Sequence, residues 1–335
     1  MNSLMNPPTV TNFQDMAEVA LRGEVLSREQ AQAIMNAPEA QLQGLLDAAL
    51  QVRETYFGRR VKMCVLLNAQ SGICPEDCHY CSQSKISKAL VDKYKLLPED
   101  VMVQRAKAAA ESGAGRFCIV IAARGPQQRD IDRISAATKR IKSDPVSQNI
   151  EICASLGLMS EAQCRQLKEA GVDYVNHNLN TSESHYEKIC STHSYADRVE
   201  TINHVKAAGL QTCSGGIIGL GESDEDLIDM AFALRAMNIE SIPVNMLLSL
   251  EGTPLEGREN VDPNRALKTL CLMRLLNPDK EVRVSAGRER LGEKQALALY
   301  AANSLFVDGY LTTPGDPHGE VKNWIEAAGF EVETY

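Results

Sequence analysis

Three cysteines stand in the run Gly72-Ile73-Cys74-Pro75-Glu76-Asp77-Cys78-His79-Tyr80-Cys81, a C-x3-C-x2-C spacing. Thiolates this close along a chain can wrap one corner of a metal centre. Three is one short of the four that close an iron–sulfur cube, so one iron would stay open to a small molecule. A closed structural zinc site needs a fourth Cys or His at finger-like spacing. His79 is the near one, and it lies between two of the cysteines, where its geometry is poor. The spacing favours an open [4Fe–4S] cluster, with zinc or plain core cysteines as the alternatives.

Other polar residues stand inside runs that otherwise read as buried strands: Arg116-Phe117-Cys118, Glu151-Ile152-Cys153, Thr212-Cys213-Ser214 and Val282-Arg283-Val284-Ser285. A cysteine alone is an ordinary core residue. An arginine between two valines is not, because an unpaired buried charge is very costly. Three thiolates and a guanidinium facing one interior would balance each other's charge, and four ligands suffice for a second, [2Fe–2S], cluster. Arginine is an unusual iron ligand since it normally stays protonated, and spacing alone does not assign it. In Tyr174-Val175-Asn176-His177-Asn178-Leu179-Asn180 the alternate amides share one face at period 2 and offer donors and acceptors to a ribose or a urea-like ring. Asn245 repeats the theme in Val244-Asn245-Met246. The bland alternative is a polar strand end with Asx turns. The glycines of Cys213-Ser-Gly-Gly-Ile-Ile-Gly-Leu-Gly-Glu222 run G-x-x-G-x-G, not the dinucleotide order, and suit close backbone approach to a flat ligand with Ile217 beside it.

The elements that must position these groups alternate. β-Branched runs at 61–67, 116–122, 150–154, 173–178, 210–215, 241–247, 281–285 and 304–310 are separated by amphipathic segments at 99–111, 130–142, 160–170, 195–208, 223–237, 263–276 and 292–302. Ser112-Gly113, Ala170-Gly171 and Ala208-Gly209 read as helix C-termini. Eight strands alternating with helices over about 250 residues predict an α/β fold, a (β/α)8 TIM-type barrel, with a doubly wound open sheet as the alternative. Residues 10–55 read as helices, with Ser27 and Gln30 forming a capping box. The expected organisation is a helical N-terminal extension over 1–58 and a barrel with its C-terminal segment over 59–335.

At 335 residues, 44% apolar and 24% charged, the chain can bury a sizeable core. Its 35 basic and 44 acidic side chains give a net charge of −9, which argues against a nucleic-acid surface. The first residues show no secretory pattern and no apolar run approaches a membrane span. Ten cysteines without an export signal favour reduced thiols and a cytoplasmic setting.

Taken together, these segments closely resemble the biotin synthase family of the radical S-adenosylmethionine (SAM) superfamily. The likeness is carried by Cys74-Pro-Glu-Asp-Cys78-His-Tyr-Cys81-Ser-Gln83, Arg116-Phe-Cys118, Tyr174 to Ser182, Cys213 to Glu222, Pro243-Val-Asn-Met246, Gly252-Thr-Pro-Leu255 and Val282-Arg-Val-Ser-Ala-Gly-Arg-Glu289, so it spans the whole barrel. The resemblance implies that Cys74, Cys78 and Cys81 hold a [4Fe–4S] cluster to which SAM binds. Tyr80, Asn178, Asn180, Arg198, Ile217 and Leu248 would surround the SAM, with Arg198 on its carboxylate and Ile217 and Leu248 flanking the adenine. Cys118, Cys153, Cys213 and Arg283 would hold a [2Fe–2S] cluster, and Asn178 and Asn245 would reach the ureido ring of dethiobiotin. The implied reaction is sulfur insertion into dethiobiotin, closing the ring of biotin. A flavodoxin- or ferredoxin-type electron donor, iron–sulfur assembly proteins and a homodimer are implied on the same ground.

The likeness departs at Asn180, where the best-known members carry Asp, and in Ile119 to Arg124, which lacks a Gly and a Trp seen in some relatives. Cys64, Cys164, Cys190 and Cys271 match no ligand position and read as buried or incidental. His177 reads as support for its strand, and Glu76 and Asp77 as shaping the cluster loop.

Overall fold

The computed structural model describes residues 12–313 and 318–334. Strands β1 (Arg60–Gln70), β2 (Arg116–Ile121), β3 (Glu151–Ser155), β4 (Tyr174–Asn176), β5 (Gln211–Cys213), β6 (Gly216–Ile218), β7 (Ser241–Met246), β8 (Glu281–Val284) and β9 (Ser304–Phe306) all pair in parallel. The order runs β1-β2-β3-β4-β5-β7-β8-β9, and β9 returns to β1, so the sheet closes. β5 and β6 are the lower and upper halves of one barrel strand, both against β7. The result is the eight-stranded barrel expected from the alternation, not the open sheet.

Period-2 alternation sorts the strand residues. Phe117, Ile119, Ile152 and Ala154 face outward into one apolar cluster with Met102 of α4 (Glu99–Glu111), Ile131 and Ile134 of α5 (Gln128–Ser143) and Leu167 of α6 (Glu161–Ala170). On the opposite side Ile242, Val244, Val282 and Val284 pack with α9 (Asp224–Ala236) and α10 (Pro263–Leu276). The N-terminal helices α1 (Phe13–Leu21), α2 (Arg28–Met35) and α3 (Leu42–Phe57) share that second cluster through residues such as Ala17, Ile34 and Leu45. Local signals agree with these ends. The Ser27–Gln30 capping box is present, Ser160, Ser194 and Ser223 cap α6, α8 (Tyr195–Ala207) and α9 in the same way, and Gly171 closes α6 in the left-handed region.

Three features differ from the sequence expectation. The fifth strand breaks at Ser214-Gly215. A Cβ built on Gly215 would lie 1.9 Å from the Pro243 carbonyl oxygen, so the bare backbone there passes against β7. The segment expected as a helix over 292–302 is a 3-10 run, Arg288–Tyr300, interrupted at Gly292, whose φ of 53° does not propagate a helix. A short C-terminal strand, β10 (Glu331–Val332), follows α11 (His318–Ala327) and pairs with the start of β1 outside the barrel. No helix among the described residues is long and apolar enough to cross a membrane.

Gly215→Ala should force β5–β6 and β7 apart and destabilise the chain by about 1–3 kcal/mol or more, the usual range for overpacking. Urea unfolding of the iron-free protein measures this; an unchanged midpoint would show that the strand break has slack.

Candidate active site

The barrel interior is built in layers. Its floor holds Lys62, Arg116, Glu151, Tyr174, Ser241, Glu281 and Ser304, side chains that barrels usually replace with branched apolar ones. Arg116 is fully buried. It donates to Glu151 at 2.9 Å and to both oxygens of Glu281 at 2.9 Å, and its guanidinium lies 3.8 Å from the centre of the Tyr174 ring. Lys62 reaches Glu151 at 3.0 Å. Arg283, also fully buried, donates to Glu281, to Ser241 at 3.0 Å and to Ser304 at 3.3 Å.

Above this floor lie Cys64, Cys118, Cys153 and Phe306 in one cluster, with Cys213 beside them. Strand register explains the grouping: Cys118 is level with Cys153, and Cys213 with Asn176. The remaining nitrogen of Arg283 faces the Cys213 sulfur at 3.7 Å, and Asn176 donates to that sulfur at 3.1 Å. Burial, reinforced by the hydrogen bond with Cys153, holds the Cys213 thiol well above its usual range, while Arg116 works in the opposite sense. Three sulfurs and one guanidinium therefore converge as expected, and a donor set of thiols with protons to release fits a metal cluster. Cys64, expected to be buried or incidental, is fully buried in the same apolar group.

A cavity of about 290 Å³ opens above, at the C-terminal ends of the strands, where barrel active sites sit. Cys74, Cys78, Tyr80, Cys81, Cys118, Asn178, Asn180, Arg198, Ile217, Asn245 and Leu248 all line it. Cys153, Cys213 and Arg283 do not; they lie beneath, fully buried or nearly so. The three-cysteine loop follows β1 and projects over the cavity. Burial pushes the Cys74 thiol up to about 11. Three thiols on one loop facing a shared cavity suit an open iron–sulfur cube.

Around this loop the polar partners are specific. Arg198 donates to Tyr186, to the Asn178 carbonyl at 2.9 Å and to His193 at 2.8 Å. Asn178 accepts from the Gly215 N–H at 3.1 Å. Asn180 adopts φ 71°, a left-handed conformation that Asn tolerates better than most residues, and donates to the Tyr80 hydroxyl at 2.7 Å. Asn245 donates to the Gly216 carbonyl at 3.0 Å and accepts from the Ala286 N–H at 3.2 Å. His177 is buried with Nε2 unpartnered; burial first, then Arg198, lowers its pKa far enough to keep it neutral. Asp77 accepts from the Ser191 and Thr192 N–H groups at 3.0 and 3.2 Å, and Glu76 pairs with His193, so both acids brace the loop as expected.

Sequence reasoning missed two things. Glu281 is one, although a charge stands two residues before each interior Cys or Arg in Arg116-Phe-Cys, Glu151-Ile-Cys and Glu281-Val-Arg. Cys190 is the other: it is buried, within the expectation of a buried or incidental residue, yet its sulfur lies 3.8 Å from that of Cys78, a proximity no sequence spacing announces.

A parallel barrel whose first loop presents three cysteines over a cavity at the strand ends is the architecture of radical SAM enzymes. A family model described as the Radical SAM superfamily matches residues 70–234, and one described as the Biotin and Thiamin Synthesis associated domain matches 243–331. Curated relatives named biotin synthase include one from Rhodopirellula baltica, 48% identical over 96% of this chain and 89% of its own length. Another, from Halalkalibacterium halodurans, is 45% identical over 96% of both chains. The chain belongs to the biotin synthase family. Among solved structures, methylornithine synthase superposes with a TM-score of 0.80 at 21% identity, covering 95% of this chain and 97% of that one. HydG, a maturase of the [FeFe]-hydrogenase, gives 0.82 at 16%, covering 97% and 77%. Those two show the shared fold.

Glu281→Ala should cost about 3–5 kcal/mol, because it strips a counter-charge from two buried guanidinium groups. Glu281→Gln, which retains an acceptor, should cost less. Urea unfolding of the iron-free chain tests this; a loss below about 1 kcal/mol for the Ala variant would mean that the floor is not held by this carboxylate.

Proposed function

We propose that the site performs the radical SAM sulfur insertion that turns dethiobiotin into biotin, with two sets of ligands stacked in one barrel. The observation that carries this reading is the vertical arrangement: Cys74, Cys78 and Cys81 face the cavity from above, and Cys118 faces it from below, in contact with Cys153. Cys74, Cys78 and Cys81 would hold a [4Fe–4S] cluster that, with SAM and an electron, supplies a 5′-deoxyadenosyl radical. Cys118, Cys153, Cys213 and Arg283 would hold a [2Fe–2S] cluster that supplies the sulfur.

The chain's own part is placement. Arg198 is a fixed cation for the SAM carboxylate, held by Tyr186 and the Asn178 carbonyl. Tyr80, Asn178 and Asn180 would meet the ribose and amino-acid portions, and Ile217 and Leu248 would flank the adenine. Asn178 and Asn245 would meet the ureido ring; in this structure Asn245 is tied to Gly216 and Ala286, so reaching substrate requires it to exchange one of those bonds. The barrel wall keeps water from a radical that attacks most things it touches. The catalytic unit on this reading is 59–335, with 1–58 as an N-terminal extension whose helices α1 to α3 pack on it; residues 1–11 lie outside the described residues. An oxygen-sensitive site with ten free cysteines suits a reducing cytoplasm. A flavodoxin- or ferredoxin-type donor, iron–sulfur assembly proteins and a homodimeric state complete the proposal.

The test is anaerobic reconstitution with iron and sulfide, followed by SAM, a reductant and dethiobiotin, with 5′-deoxyadenosine and biotin quantified by mass spectrometry. Both should form. Cys153→Ala should retain the [4Fe–4S] cluster and SAM cleavage while biotin falls below detection, and a normal biotin yield from that variant would refute the sulfur-source assignment. Asn180→Asp should keep the hydrogen bond to Tyr80 with donor and acceptor exchanged. SAM affinity, read by equilibrium dialysis on the reconstituted protein, should then change by less than about tenfold, or 1.4 kcal/mol.

A further inference from the structure

Cys190 follows the short helix α7 (Glu183–Tyr186) and precedes α8, in a segment stapled to the cysteine loop. His79 donates its N–H to the Ile189 carbonyl at 2.9 Å, and Asp77 accepts from Ser191 and Thr192. These bonds press Cys78 against Cys190 and bring His193 to the same point. The three ligand atoms lie within 4.8 Å of one another, and all three residues are buried.

We propose that, in the chain without its iron–sulfur cluster, Cys78, Cys190 and His193 form a mononuclear site for a thiophilic divalent cation such as zinc. The spacing carries the argument. Metal–sulfur bonds of about 2.3 Å at a tetrahedral angle separate two sulfurs by about 3.8 Å, and a sulfur from a nitrogen by about 3.5 Å. The Cys78 and Cys190 sulfurs are 3.8 Å apart, and the His193 ring nitrogens stand 3.3 and 3.8 Å from Cys190. The imidazole is also oriented for the role. Arg198 can only donate, so His193 Nε2 accepts from it and the Nδ1 proton faces Glu76. A cation on Nε2 would leave Glu76 as the outer carboxylate that commonly backs a metal-bound histidine. The cost is that Arg198 must release Nε2, and because its guanidinium is planar its bonds to Tyr186 and the Asn178 carbonyl must loosen with it. Asp77 also lies 3.3 Å from Cys190, but its oxygens are already taken by Ser191 and Thr192, so the fourth position is left for water.

Because Cys78 is shared, this site and the proposed [4Fe–4S] cluster exclude each other; that consequence rests on the cluster assignment, whereas the cation site itself does not. Zinc should outcompete ferrous iron here by intrinsic affinity, so zinc taken up first should retard cluster assembly.

The test uses the full-length, iron-free protein, anaerobic and reduced with a phosphine, titrated with Co2+ as a spectroscopic probe. One equivalent should give the visible bands of tetrahedral cobalt with thiolate-to-cobalt charge transfer. Cys190→Ser and His193→Gln should each weaken binding by at least about tenfold, and Cys74→Ser should leave it unchanged. Wild type without the tetrahedral spectrum would overturn the proposal. So would loss of binding in Cys74→Ser with retention in Cys190→Ser, which would place the cation on the three-cysteine loop alone. Iron and sulfide uptake serves as the fold control for Cys190→Ser, and His193→Gln gives the answer independently should that variant not fold. Failure of wild type to take up a [4Fe–4S] cluster would count against the function proposed above and leave the cobalt result standing.

Discussion

One carboxylate organises the lower half of this barrel. Glu281 stands between two fully buried guanidinium groups, accepting from Arg116 through both oxygens and from Arg283 through one. Without it the two cations would face each other in a closed, water-poor interior. With it, Arg283 is tied on one side to Glu281, Ser241 and Ser304, and its free nitrogen is turned toward Cys213. The floor carries Lys62, Arg116 and Arg283 against Glu151 and Glu281, a surplus of one positive charge directly under the cysteines. Arg116 in that floor works toward the thiolate forms a metal cluster requires, against the burial that keeps the Cys118, Cys153 and Cys213 thiols protonated. A charged floor is a poor way to stabilise a barrel, since an apolar layer of equal volume often does as well or better. Its presence is explained by what it holds in place.

The upper half solves a different problem with less charge and more backbone. Strand ends are where hydrogen-bond ladders run out, and here that irregularity is put to use. The break at Ser214-Gly215 lets the Gly215 N–H turn to Asn178, and its carbonyl accepts from the Asn180 N–H. Asn180 takes a left-handed conformation at this junction, so its amide swings toward Tyr80 on the cysteine loop. The loop is thereby connected to β4 through Tyr80 and to the α7–α8 segment through Glu76 and Asp77. It is anchored at two points by groups that need no bound cofactor.

The parts legible in the sequence were those with a local signature. The eight alternating strands, the Ser27–Gln30 capping box and the C-x3-C-x2-C loop depend on residues near one another in the chain, and the structure has them. The grouping of Cys118, Cys153, Cys213 and Arg283 rests on the family resemblance and not on any spacing in the chain. What was not legible depended on distance in space. The split of β5 from β6 lies where Gly215 passes against the Pro243 carbonyl on the neighbouring strand, and the partnership of Cys190 with Cys78 spans 112 residues. Glu281 is intermediate: its two-residue offset from Arg283 was visible, but its bond to Arg116 crosses the barrel and needed the closed sheet.

The two halves meet at Cys118, which belongs to the lower sulfur cluster and also lines the upper cavity. On the proposed function, a substrate in the cavity would lie between the two sets of cysteines and touch both. The depth of Arg283 and Cys153 suits the role proposed for them. A sulfur source reachable from solvent would be lost to water or oxygen, whereas one sealed beneath the cavity can be approached only through the space the substrate fills. The barrel's closure, the charged floor and the stapled roof thus act as one constraint on access, and the chemistry is confined to the gap they leave.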